Sequence, residues 1–379
     1  MKIVITVLSV LFCMVCMAGM QSYAASSVPI KILVPMALTG PLAGIEEYAK
    51  AGAEMAVEDI NGAGGVKGRP IQLVYEDCTS TVPGAVNALN KLLSTNPDGT
   101  AIFGGMMSPF ALAWDPILRE TKLPFLTGGS NVKITAQGNP WIFRMRPNDE
   151  IQTVLFAKYI VQSLKAKSVG IFYDTNEYGK GGMESLTRAL AKLGVKPAIV
   201  EAHNTGDKDF TPQFMKFRDA KIDALIAWNY PVEAALTIRM WQQTGRPFRL
   251  LGCPSYPPGE PTWGMVKQAA EGVMALADVA LTESSSKALK DLAAKYQAKY
   301  KRGFNNPVVN GYDAINVLGQ GLNKAGPDRE KLRAALHTGT YNGVMTGYTF
   351  DEKGDGVWEV SVAEIKGGKV NEIERVRLR

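Results

Sequence analysis

The chain has 379 residues, of which 46% are hydrophobic and 21% charged, with a formal net charge of +6. That length exceeds the roughly 250–300 residues at which one hydrophobic core stops growing, so two domains are expected. Acids and bases are interspersed throughout, so the positive balance serves solubility, and no basic face for nucleic acid is built.

The N-terminus reads as an address. Lys2 precedes an apolar run over residues 3–18, and Ser22-Tyr23-Ala24 follows with small residues at the −3 and −1 positions of a signal-peptidase site. The run falls short of the roughly 20 apolar residues of a membrane span. Residues 1–24 are therefore expected to be a cleaved signal rather than an uncleaved anchor, which sends the protein to the periplasm. Bulky neighbours (Leu11-Phe12 and Met14-Val15) argue against lipidation at Cys13 or Cys16. Of the four cysteines, Cys78 and Cys253 remain after cleavage, too few for a disulfide scaffold. A bridge between those two is left open.

Beyond the signal, short β-rich runs alternate with helical patterns, the signature of parallel βαβ units. Strands are predicted over 30–34, 71–75 and 101–103, with helices over 48–61 and 82–94 between them. The rhythm continues with strands over 169–173, 198–202, 224–228 and 249–252 and helices over 179–193, 212–220 and 232–244. An amphipathic helix over 284–300 carries its lysines on one face, and a glycine-interrupted helix is expected over 307–323. From Gly347 onward, apolar and polar residues alternate around glycine turns, as in antiparallel hairpins. No repeat or low-complexity linker divides the chain. The fold class is thus α/β, two lobes joined by several short crossings.

Enzyme chemistry finds little purchase in these residues. There are two histidines, His203 at a predicted strand end and His337 late in a helix, and both read as structural. No clustered His/Cys spacing offers a metal site, and no cofactor motif is present. Residues 62–68 (GAGGVKG) follow a helix where a dinucleotide fingerprint would open one, and Lys67 stands where its third glycine belongs. They form a helix stop. Neither a P-loop nor a G-x-S-x-G elbow occurs.

Residues 38–68, LTGPLAGIEEYAKAGAEMAVEDINGAGGVKG, resemble the opening of the branched-chain amino acid (leucine/isoleucine/valine) binding proteins of bacterial ABC importers. Similarity continues through FGGMMS at 103–108, PFLTGGS at 124–130, YDTNEYG at 173–179 and TFDEKG at 349–354. The resemblance implies a type I periplasmic-binding fold: two doubly wound parallel-sheet lobes joined by three hinge crossings around a cleft. It places the crossings near residues 144–147, 277–279 and 348–351. The first lobe is then 25–146 plus 279–348, and the second is 147–278 plus 349–379.

Ser108, before Pro109 and a helix expected near Phe110, reads as a helix cap and equally as a helix-start anion site. The resemblance implies that Ser108 binds a ligand α-carboxylate. It also implies that the Gly128 carbonyl and the Ser130 hydroxyl hold ammonium and carboxylate, and that Tyr178 and Tyr230 close from the second lobe. Two departures stand out: Ile45 occupies an aromatic position of that family, and Pro254, beside Ser255, occupies its ammonium-binding acid. Either another acid substitutes, with Glu46 and Glu47 as candidates, or the ligand carries no ammonium. Met106, Met107, Phe110, Ile45 and Trp228 would form an apolar wall. The bridge that the family forms near Cys78 is expected to be absent, because Met107 holds its second position.

The function so implied is capture of a small hydrophobic amino acid in the cleft by a monomer, for delivery to ABC permease subunits. An aromatic or other non-amino carboxylate is the alternative ligand, and an exported sensor domain is the alternative role.

Overall fold

The computed structural model describes residues 28–257 and 261–377; the expected signal over 1–24, with Cys13 and Cys16, lies outside them. Five strands form a parallel sheet in the order β2-β1-β3-β4-β5. They are β1 (Ile30–Met36), β2 (Ile71–Asp77), β3 (Ala101–Gly104), β4 (Phe125–Thr127) and β5 (Ile142–Arg144). A seven-stranded sheet runs β14-β13-β10-β9-β8-β6-β7. Its strands are β6 (Val169–Asp174), β7 (Ile199–His203), β8 (Ala224–Trp228), β9 (Arg249–Gly252), β10 (Met274–Ala277), β13 (Glu359–Lys366) and β14 (Lys369–Arg377). Pairing is parallel from β7 to β10 and antiparallel through β13 and β14. A ribbon of β11 (Thr340–Asn342) and β12 (Gly347–Thr349) stands apart.

Local sequence explains most of these elements. Strands β3 and β8 are buried at every residue, as in parallel sheets covered on both faces. Side chains of Thr81, Asn148, Asn176, Ser286, Asn305 and Asp328 each accept a backbone N–H at a helix start, which satisfies donors that have no intrahelical partner. The helix predicted from residue 48 begins earlier, spanning Ala43–Gly62. Strands β4, β5 and β10 and the helices Asp149–Lys158 and Arg329–Thr338 were not foreseen. Strands of three or four buried residues carry no alternation to read.

Helix Ala43–Gly62 packs on helix Asn306–Ala325. Their axes approach closely because Gly52 and Gly311 face backbone: a Cβ at Gly52 would collide with the Val308 carbonyl, and one at Gly311 with that of Ala49. The glycines that lower helix propensity in the second helix therefore make its packing feasible.

The chain passes between the sheets three times: after β5, after β10 and after β12. These crossings are tied side by side. Arg144 N donates to Gly354 O at 2.7 Å and Gly356 N donates to Arg144 O at 3.2 Å. The buried Arg144 guanidinium pairs with Asp355 at 2.6 Å, joining the first crossing to the third. Arg146 pairs with Asp278 at 2.5 Å, joining the first to the second, and Asn306 Nδ2 donates to the same carboxylate at 2.9 Å.

Substituting Gly52 or Gly311 by Ala is expected to destabilise the first lobe by about 1–3 kcal/mol through overpacking, despite the better helix propensity of Ala. Thermal melting of the two variants checks this; an unchanged or raised melting temperature would contradict the close helix approach.

Candidate functional site

In the first lobe, β3 ends at Gly104, and Gly105 turns the chain at a positive φ of 58°. Helix Ser108–Thr121 follows. Ser108 is the first helical residue rather than the cap: Met107 holds the cap position with no side-chain cap bond. The Ser108 hydroxyl instead accepts from Asn131 N at 3.3 Å. The loop after β4 carries Gly128 and Ser130, and Arg144 shapes it by donating to Gly129 O at 2.5 Å and to Asn131 O at 3.0 Å. Met106 lies over Gly128, where an added Cβ would strike its sulfur. Ser108 and Ser130 are fully buried, and Ser130 Oγ has no hydrogen-bond partner among the described residues.

In the second lobe, Tyr178 lies in the first turn of helix Glu177–Lys192, and Tyr230 is the residue before helix Pro231–Gln243. These helices follow the adjacent parallel strands β6 and β8, at the carboxyl edge where such sheets bind ligands. The two rings stack at 5.1 Å and 7°. Tyr178 OH lies 3.4 Å from Ser255 Oγ, whereas Tyr230 OH has no partner among the described residues. Burial pushes both phenols well above their ordinary value. Trp228 is wholly buried behind them, 6.3 Å from Tyr178, so it backs the wall instead of lining it.

A cavity lies between the lobes. Ile45, Met106 and Met107 border it from one side and Tyr178, Tyr230 and Ser255 from the other, with Arg146 of the first crossing and Pro254 completing the wall. Ser108, Gly128 and Ser130 are not on its wall. A larger open groove, bounded by Trp263, Lys290, Phe304 and Glu372, adjoins it at Pro254 and Asn306. None of the buried polar atoms left without partners belongs to a residue of that groove, so the smaller cavity is the candidate site.

The electrostatics of the cleft centre on Glu46. It is wholly buried and neither carboxylate oxygen has a hydrogen-bond partner among the described residues; burial raises its pKa to about 8. Glu47, the other candidate acid, is exposed and paired with Arg302 at 2.7 Å, which removes it from the site. Asp149, at the start of helix Asp149–Lys158, is pushed by burial up to about 6 against the pull of Ser130, Arg144 and Arg146. Burial would lower the Arg146 value, and the charge of Asp278 together with Tyr178, Asp149 and Cys253 raises it on balance. Sequence reasoning missed Arg144, Arg146, Asn131, Asp278 and Asp355. The available signal was WIFRMRPND at 141–149, two arginines inside an otherwise apolar run at an expected crossing. Cys78 and Cys253 are both buried and free. His203 is buried beside Phe172 and near Asn229, and His337 packs on Phe143. Among the described residues, no group of His, Cys, Asp and Glu could hold a metal ion, and no helix is long and apolar enough to cross a membrane.

Residues 29–369 match the family model described as periplasmic binding protein. A Pseudomonas aeruginosa relative, named leucine-, isoleucine-, valine-, threonine- and alanine-binding protein, is 32% identical over 92% of each chain. The chain belongs to the periplasmic binding protein family. It is an extracytoplasmic solute-binding protein of an ABC transporter and not an enzyme. The crystal structure of a leucine binding protein from Thermotoga maritima superposes with a TM-score of 0.84 at 27% identity, covering 92% of this chain and 99% of that one. A Rhodopseudomonas palustris solute-binding protein in complex with benzoate shares the fold at a TM-score of 0.84 and 19% identity, covering 92% of this chain and 97% of that one.

In this periplasmic binding protein the lobes touch across the cleft. Asn131 Nδ2 of the first lobe donates to Glu177 O of the second at 2.5 Å, and Lys133 lies 3.8 Å from the Glu177 carboxylate. The contact depends on Gly181: a Cβ there would stand 2.5 Å from Asn131 Nδ2 and 2.9 Å from Asp149 Oδ2.

Two outcomes are expected. Gly181→Ala should hold the lobes apart and weaken ligand binding by about tenfold or more, with little change in the melting of the ligand-free protein; calorimetry and melting together check it. The pH prediction follows from the raised acids. Between the ordinary value of 4.5 and about 8, folded Glu46 keeps a proton that the unfolded chain has lost. Its stabilising contribution is therefore present at low pH and is lost as pH rises through about 8; Asp149 acts in the same direction from 3.8 to about 6. The ligand-free melting temperature should fall as pH rises from about 5 to 8, and Glu46→Gln should flatten that slope.

Proposed function

We propose that this protein captures a small hydrophobic amino acid of the branched-chain type by closing its lobes over it, and delivers it to membrane permease subunits. The observation that carries the reading is the balance of buried charge around the cleft. Arg144 and Arg146 are matched by Asp355 and Asp278, while Glu46 forms no ion pair and its oxygens lack hydrogen-bond partners among the described residues. Burial keeps Glu46 protonated up to about pH 8, so a ligand bearing only a carboxylate finds no charge there to pair with, whereas an ammonium would pair with the ionised form and offset its desolvation. A ligand with an ammonium as well as a carboxylate supplies the missing cation. Its carboxylate would be taken by the start of helix Ser108–Thr121 and the Ser130 hydroxyl. Ile45, Met106, Met107 and the stacked tyrosines suit an apolar side chain. The name of the Pseudomonas aeruginosa relative agrees with this ligand class.

The lobes are proposed as 25–146 with 279–348 and 147–278 with 349–379, moving as a monomer about the three crossings after cleavage of residues 1–24. Ligand stabilises the closed form because it touches both lobes only there.

A second reading, an aromatic or other non-amino carboxylate, draws on Pro254 and the stacked aromatic wall, and on the benzoate held by the Rhodopseudomonas neighbour. Calorimetry of the ligand-stripped protein with leucine, its deaminated analogue 4-methylpentanoate, and benzoate separates the two. Leucine is expected to bind tightest, by about a hundredfold over 4-methylpentanoate, the scale of one buried charge-assisted anchor. Equal binding of leucine and 4-methylpentanoate, or a preference for benzoate, would replace the first reading by the second.

A further inference from the structure

We propose that Glu46 of the first lobe takes the cationic group of the ligand and thereby makes the cleft select ammonium-bearing ligands over plain carboxylates. The proposal rests on the reading of the cleft as an amino-acid site and names the residue that decides it.

Glu46 sits in the first turn of helix Ala43–Gly62, and its neighbour Ile45 is on the cavity wall. Glu46 is not itself on that wall, but its carboxylate is wholly buried, and the helix packed on its own, Asn306–Ala325, also borders the cavity at Asn306 and Pro307. Neither oxygen has a partner among the described residues. The two arginines of the cleft region are committed elsewhere, to Asp355 and Asp278, and burial is the whole cause of the Glu46 shift, with no cation opposing it.

A second acceptor stands on the helix packed against it. Asn310 is wholly buried and its Oδ1 is unpartnered. It adjoins Gly311, which packs on Ala49 one helical turn from Glu46, and its Oδ1 lies close to Gly128. Carboxylate and amide oxygen thus stand on two packed helices as buried acceptors without donors among the described residues. A ligand group that brings several N–H donors and a positive charge satisfies both.

Among the described residues, the second lobe offers no rival acid at the wall. Pro254 and Ser255 line it there, and the nearest acids are already engaged: Asp174 accepts from Thr205 and Asn176, and Glu233 accepts from Gly206 N. Asp149 feels the charges of Arg144 and Arg146, which leaves Glu46 as the buried acid of the cleft without a compensating cation.

The test is calorimetry on the full ligand-stripped chain with leucine and 4-methylpentanoate, comparing wild type with Glu46→Gln. The expected result is a loss of about tenfold or more for leucine and a change of less than about threefold for 4-methylpentanoate. A merely structural role would weaken both ligands alike, so equal losses, or no loss for leucine, would overturn the proposal while leaving the amino-acid reading intact. If wild type itself does not prefer leucine, both fall. Should Glu46→Gln fail to fold, Glu46→Met, of similar volume and no polarity, is read with the same two ligands and the same criteria.

Discussion

Everything that positions the cleft depends on the Arg144–Asp355 ion pair. Strand β5 delivers Arg144 at the point where the chain leaves the first sheet. Its guanidinium reaches Asp355 in the third crossing, and also the carbonyls of Gly129 and Asn131 and the hydroxyl of Thr135. One wholly buried side chain thus joins two crossings and shapes the loop that carries Gly128 and Ser130. A buried ion pair adds little net stability over an apolar replacement, because desolvation consumes most of the Coulomb gain. Losing one partner is another matter, since a lone buried charge is costly. The value of the pair is therefore geometric: it permits one arrangement of crossing and loop and penalises others.

Arg146, two residues on, repeats the device toward the second crossing through Asp278. Three crossings joined by two buried ion pairs restrict how the lobes can move relative to each other. The cleft lies beside this strap, with Arg146 on its wall. The glycines complete the arrangement. Gly52 and Gly311 let two helices of the first lobe approach, and Gly181 lets the second lobe reach Asn131. At each of them a methyl group would meet backbone or a partner side chain, so the requirement is for space more than for flexibility.

Much of the α/β pattern was legible in the residues. Strands over 224–228 and 249–252 appear with the bounds their apolar runs predict, because a buried parallel strand flanked by turns announces itself. The short strands β4, β5 and β10 were not read from the chain. The helix Ala43–Gly62 begins before the predicted residue 48, and of the two candidate acids in its first turns only one is buried. Glu47 is exposed and paired with Arg302, whereas Glu46 is buried. Ser108 could be singled out because it lies after a strand and near a helix start, although it is not on the cavity wall, and the family resemblance pointed to Tyr178 and Tyr230, which are. Asn131, Asp278 and Asp355 could not, because their partners are distant in sequence.

The amino-acid sequence by itself determined the alternation of strands and helices, the two-lobed class and the family resemblance, because these follow from local periodicity and from motifs a few residues long. Tertiary structure decided which polar groups are paired and which are left over. That distinction depends on the sum of burial and charge from segments far apart in the chain, and no window of sequence contains it. For this protein it separates Glu47, a surface acid bound to Arg302, from Glu46, one residue earlier, buried and without a partner among the described residues.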